Sequence, residues 1–65
     1  MTKLKNGAML LDVNGDVVLA KWEGHFHPYV TWRLTEDGHT FLGHYFAKLD
    51  EAVKDFMTRT GNRTN

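Results

Sequence analysis

Leu49-Asp50-Glu51-Ala52-Val53-Lys54-Asp55-Phe56-Met57 is the stretch that decides the fold. Leu49, Ala52, Val53, Phe56 and Met57 recur at i, i+3, i+4, i+7 and i+8, which is one stripe of a 3.6-residue helix, while Asp50, Glu51, Lys54, Asp55 and Arg59 point elsewhere. Asp50 and Glu51 stand in the first turn, where the helix dipole favours negative charge. Arg59 stands in the last, with Gly61 suited to the position beyond the cap. The spacing predicts a single helix whose apolar side must lie on a sheet.

Upstream of it the period changes to two. Ala8-Met9-Leu10-Leu11-Asp12-Val13 and Asp16-Val17-Val18-Leu19-Ala20-Lys21-Trp22-Glu23 flank Asn14-Gly15, a pair that tolerates the positive φ of a tight hairpin turn. Gly24-His25-Phe26-His27-Pro28 breaks the pattern, because proline cannot donate to a strand ladder. Tyr29 to Thr35 then alternates, with Val30, Trp32 and Leu34 on one side and Tyr29, Thr31, Arg33 and Thr35 on the other. Asp37-Gly38 marks another turn, and Thr40 to Phe46 returns as a fourth strand. Short connections between sequential strands give antiparallel pairs, so the fold class is α+β: a four-stranded meander with a C-terminal helix on one face, ββββα. The expectation is that the helix covers one side and that the side carrying Tyr29, Thr31 and Arg33, joined either by Phe41 and Tyr45 or by Leu42 and His44 of the fourth strand, is left to solvent or to a partner.

Composition sets the outer limits. Sixty-five residues allow one domain, expected to be ordered over about 8–60 with frayed ends. Hydrophobic residues at 42% and charged residues at 25% are those of a globular chain, and no apolar run reaches the length of a bilayer span. There is no cysteine for a disulfide or a thiolate site, and Asp12 interrupts the Ala8–Leu11 run too early for a secretory signal, which leaves a cytoplasmic expectation. A domain near 60 residues buries only about 60% of its unfolded surface. Two Trp, two Tyr and four Phe must therefore supply much of the core, and a homodimer is the usual supplement.

Catalytic constellations are thin. The chain has no serine and no cysteine, and its six glycines are scattered rather than gathered into a phosphate loop. No enzyme and no cofactor are expected. Histidine is the overused residue: His25 and His27, two apart on an extended segment, project to the same side and are the alternative pair for a borderline metal ion such as zinc. A meander places their loop and the turn bearing His39 at opposite ends, so a third ligand is hard to supply. Exposed loop histidines are the simpler reading.

Trp32-Arg33, Gly38, Leu42-Gly43 with Tyr45-Phe46, Glu51-Ala52 and Phe56 together resemble the later part of the Apetala-type (ethylene-response-factor) DNA-binding domains and of related integrase amino-terminal arms. The resemblance spans roughly Tyr29 to Phe56. It implies a three-stranded sheet on a helix, with the free sheet face in the major groove and Arg33, Thr31 and Tyr29 turned toward DNA. The arginine-rich first strands of that family are replaced here by Met9-Leu10-Leu11 and Val17-Val18-Leu19. Eight Lys+Arg against eight Asp+Glu leave no net charge, whereas duplex binding rests on phosphate neutralisation by a basic surface.

The sequence therefore points to a non-enzymatic binding domain, a protein-interaction or regulatory accessory module of the kind carried by bacterial and phage genomes. Its partner is expected to be protein, either a second copy or a larger target, engaged through Tyr29, Thr31, Arg33 and Tyr45. Nucleic acid bound through Arg33, Lys21 and Trp22 is the alternative, and a metal at His25 and His27 the second alternative.

Overall fold

The computed structural model describes residues 2–61. Strands β1 (Met9–Asn14), β2 (Val17–Lys21), β3 (Tyr29–Leu34) and β4 (Thr40–Phe46) form one antiparallel sheet in the order β1-β2-β3-β4, followed by α1 (Leu49–Arg59). This is the ββββα arrangement that the two periodicities require. Gly15 takes φ 62 in the β1–β2 turn, the left-handed conformation for which Asn-Gly is selected. Helix α1 has Asp50 and Glu51 in its first turn and Arg59 in its last, and Gly61 follows the cap at Thr60 with φ 70.

The face covered by the helix is the opposite of the expected one. Ala52 and Phe56 of α1 pack on Val17 and Leu19 of β2, with Tyr29, Phe46 and Val53 around them. Strand register places Leu19 opposite Thr31 and Val17 opposite Arg33, so the helix lies on the side of Tyr29, Thr31 and Arg33. Val17-Val18-Leu19-Ala20 is buried on both sides, and alternation along β3 therefore cannot decide which side the helix takes. The choice falls to size and polarity. The face of Val30, Trp32 and Leu34 is covered by tryptophan side chains and residues 2–8, whereas the Thr31 hydroxyl finds its acceptor in Asp55 of the helix.

That second face has its own core of Ala8, Val18, Ala20, Val30 and Trp32, bordered by Leu4, Leu10, Trp22 and Leu34. Part of its cover comes from residues 2–8, among which Leu4 and Ala8 pack into this core. Lys3 bridges Met9, Leu10 N–H donates to the Thr2 carbonyl at 2.9 Å, and Leu4 N–H donates to the Ala8 carbonyl at 2.8 Å. From there Lys5 Nζ reaches the Asp37 carbonyl at 2.5 Å and Asn6 Nδ2 reaches Thr40 Oγ1 at 3.4 Å. Residues 2–8 are thus a strap running from the β1 edge to the β3–β4 turn. The expected fraying of the C-terminal end beyond Gly61 lies outside the described residues.

Candidate functional site

The four residues expected to form one partner surface are divided between the two faces. Thr31 is fully buried beneath α1, and Tyr29 and Arg33 are half-buried on the same side. Tyr45 pairs with Val30 across β3–β4 and so stands on the other face, half exposed, with its ring edge-on to Trp32 at 6.0 Å. Helix placement, which the sequence left open, is what separates them. Arg33 is not free either: its Nη1 lies 3.3 and 3.2 Å from the two carboxylate oxygens of Asp16.

The set Arg33, Lys21 and Trp22 is split in the same way. Lys21 Nζ lies 3.6 Å from Glu23 and 5.7 Å above the Tyr29 ring on the helix side, while Trp22 packs into the second face. Lys3, Gly7, Met9, Lys21, Trp22 and Glu23 line a shallow recess of about 210 Å³, below the ~300–1,000 Å³ usual for small-molecule sites.

The histidines are dispersed. His25 stacks on Trp22 at 4.2 Å, His27 meets Phe26 edge-on at 4.8 Å, His39 Nε2 lies 3.4 Å from Asp37, and His44 joins the helix. Among the described residues no three His, Asp or Glu side chains are grouped to hold a metal ion.

What the sequence did not reveal is a polar clamp between α1 and the sheet. Asp55 Oδ2 accepts from Thr31 Oγ1 at 2.5 Å and lies 3.0 Å from His44 Nδ1 and 3.3 Å from Arg59 Nε. Arg59 Nε is also 3.3 Å from His44 Nδ1. A single proton settles this triangle. With Nδ1 protonated the imidazole donates to Asp55; with Nε2 protonated Nδ1 accepts from Arg59. Burial raises the Asp55 pKa, but the Thr31 hydroxyl, the His44 contact and the Arg59 charge outweigh it, and the net direction is downward. Asp55 falls between Val53 and Phe56 in the helical stripe, and its spacing from Arg59, i to i+4, was the available signal. A carboxylate orienting an imidazole also serves general bases; here the Thr31 hydroxyl is committed to Asp55. The cluster reads as a fastening.

The second face carries an aromatic row, His25–Trp22–Trp32–Tyr45, with successive ring centroids 4.2, 5.5 and 6.0 Å apart. It depends on one glycine. Between Thr31↔His44 and Arg33↔Phe41 the β3–β4 register shifts, so that Trp32 faces both Leu42 and Gly43. A Cβ on Gly43 would stand 2.7 Å from Trp32 Nε1, a distance no real side chain tolerates. The bulge that admits the indole holds Leu42 at φ 54, the single positive φ among the described non-glycine residues. Such a conformation costs an L-residue about 1–2 kcal/mol. Leu42 is 63% exposed, so little packing offsets it.

Besides Leu11 and Val13 on β1 and Leu49 and Met57 on α1, two exposed apolar features stand out. One is the bulged strand β4, where Leu42 is exposed at the bulge, Tyr45 on the Trp32 face and Phe41, paired with Arg33, on the helix face. The other is Phe26, 92% exposed at the tip of the β2–β3 loop. That loop is closed at its neck by Trp22 N–H donating to the Pro28 carbonyl at 2.7 Å, and braced by His25 N–H donating to the Trp22 carbonyl at 3.3 Å. No described helix is long and apolar enough to cross a membrane. Compared with known proteins, the chain matches no family model, no curated protein and no solved structure.

Proposed function

We propose that the chain is a small non-catalytic binding domain working in the cytoplasm, and that its partner is a protein. The observation that carries the reading is Phe26: a large aromatic side chain, almost wholly in water, on a loop whose neck is hydrogen-bonded and whose flank is stacked. Exposing it costs on the order of 2 kcal/mol relative to burial, and nothing inside the domain recovers that. Aromatic side chains at the centre of an interface supply much of its binding energy, and a pre-ordered loop loses little entropy on docking. Net neutrality supports a protein over a phosphate backbone as the partner.

The test compares wild-type and Phe26→Ala protein as baits in the native host, with melting temperature as the control for folding. A partner retained by the wild type and lost with Phe26→Ala, at equal melting temperature, supports the reading. Identical captures remove Phe26 from it, and a mobility shift of oligonucleotides at low salt at micromolar protein would replace protein by nucleic acid.

A further inference from the structure

We propose that Asn14 is a site of spontaneous covalent modification, at which its side-chain amide closes on the Gly15 nitrogen and hydrolyses to aspartate and isoaspartate, and that the fold confines this reaction to Asn14 among the Asn-Gly and Asp-Gly pairs of the chain. The reaction needs no enzyme and no reactant but water. The Gly15 backbone nitrogen attacks Cγ of Asn14, the new C–N bond closes a succinimide ring, and the side-chain nitrogen leaves with the Gly15 proton as ammonia. Water then opens the ring at either carbonyl. One opening restores a normal backbone with an aspartate side chain, and the other routes the backbone through the former side chain and lengthens it by a methylene. Glycine permits the attack, since a Cβ on the following residue would crowd the nitrogen.

What selects Asn14 is the state of the attacking and attacked groups. At Asn6-Gly7 both are committed: Gly7 N–H donates to the Leu4 carbonyl at 2.9 Å, while Asn6 Oδ1 accepts from Ala8 N–H at 3.0 Å and Nδ2 reaches Thr40 Oγ1 at 3.4 Å. At Asp37-Gly38, Gly38 N–H donates to the Thr35 carbonyl at 3.0 Å, and the carboxylate, held ionised by the Thr35 hydroxyl, is a poor electrophile. At Asn14-Gly15 neither the side-chain amide nor the glycine N–H has a hydrogen-bond partner among the described residues, and Asn14, Gly15 and Asp16 are all exposed. Ring closure requires Asn14 to leave its extended conformation. Asn14↔Val17 is the last rung of the edge strand β1, where a sheet opens at least cost. The product is charged: from eight Lys+Arg and eight Asp+Glu, each event leaves one negative charge in excess. That charge stands in the cross-strand row Asn14, Val17 and Arg33, beside a guanidinium that already faces Asp16.

The experiment ages the full chain at mildly alkaline pH, folded and in concentrated urea, and reads residues 6, 14 and 37 separately from fragment mass spectra. In the folded chain Asn14 is expected to gain about 1 Da, as two isomers that separate by chromatography. Its rate should exceed that of Asn6 by about tenfold or more, because Asn6 reacts only after the strap opens. Asp37 stays a single isomer. In urea the two asparagines are expected to react at similar rates, since the hydrogen bonds that distinguish them are gone. An Asn14 that stays intact in the folded chain but reacts in urea shows the turn to be protective and overturns the proposal. An Asn6 that keeps pace in the folded chain overturns it, as does a lead of Asn14 that persists undiminished in urea, which assigns the selectivity to flanking residues and not to the fold. Aspartate as the single product excludes the ring and overturns it too. Each of these outcomes leaves the Phe26 reading intact.

Discussion

The two faces of the sheet are closed by different means. On one, a regular helix lays Ala52 and Phe56 over Val17 and Leu19 and is fastened by a charged cluster at Asp55. On the other the described residues supply no helix: Trp32 and Trp22 lie over Val18, Ala20 and Val30, and a strap of seven residues, 2–8, closes the border. A central strand that is apolar on both sides needs two covers, and a pair of tryptophans can replace a secondary-structure element when a glycine lets one of them lie flat. The helical face spreads its burial over several side chains, while the second face concentrates it. Trp32→Ala is therefore expected to be the most damaging single change, at about 3–5 kcal/mol, enough to unfold most of a domain this small at room temperature. Urea denaturation measures it. A loss under about 1 kcal/mol would show that the strap, and not the indole, seals this face.

The next largest effect tests the other cover. Asp55→Ala leaves the Arg59 side chain, 9% exposed, without its carboxylate, and Nη1 of that residue is already buried without a hydrogen-bond partner among the described residues. Breaking a buried pair from one side costs about 3–5 kcal/mol, and the partial exposure of Asp55 and His44 reduces this to about 2–3. Thr31→Val removes only the hydroxyl and is expected to cost about 1–2 kcal/mol. The same carboxylate sets the acid limit. Its pKa is lowered on folding, so its contribution is complete well above the ordinary value of 3.8 and is lost as pH falls through that value toward the folded one. Asp37 acts in the same direction from the surface, held down first by the Thr35 hydroxyl. Stability measured from pH 6 to pH 2 should fall for the wild type, and less steeply for Asp55→Asn. Parallel curves would assign the acid limb to other carboxylates.

How much of this was legible follows from the same contrast. The element order was, because Asn14-Gly15, the alternation of Tyr29–Thr35 and the Leu49–Met57 stripe are local signals that packing did not override. The side taken by the helix was not. Val17-Val18-Leu19-Ala20 reads as buried whichever way it faces, and a threonine among alternating residues looks solvent-directed until a carboxylate from a distant helix meets it. That single ambiguity moved Tyr29, Thr31 and Arg33 from the expected open surface to the covered one. The bulge at Leu42-Gly43 was equally hidden, since Gly in a strand marks a bend or a close approach without saying which. Gly43→Ala decides between those readings. If the indole fills the space, as the 2.7 Å separation requires, the methyl costs about 1–3 kcal/mol by overpacking; if the glycine merely bends the strand, the cost stays below about 1 kcal/mol. The tryptophan emission maximum would move to the red in the first case only.

The smallest expected effect concerns how the strap holds its end of the second face. Lys5 does two things there: Nζ donates to the Asp37 carbonyl, and its methylenes lie against Gly38, where a Cβ would come within 3.3 Å of Lys5 Cε. Both contacts are exposed, so Lys5→Ala is expected to cost only about 0.5–1 kcal/mol. Lys5→Met separates them, since it keeps the stem and removes the donor. Stability near that of the wild type assigns the anchorage to packing on Gly38; stability near that of Lys5→Ala assigns it to the hydrogen bond. Amide exchange at Leu4 and Leu10, whose N–H groups are bonded within the strap and to it, reports the same step locally. Faster exchange in Lys5→Ala without change in β3 would mark the strap as a unit that opens separately from the sheet it covers.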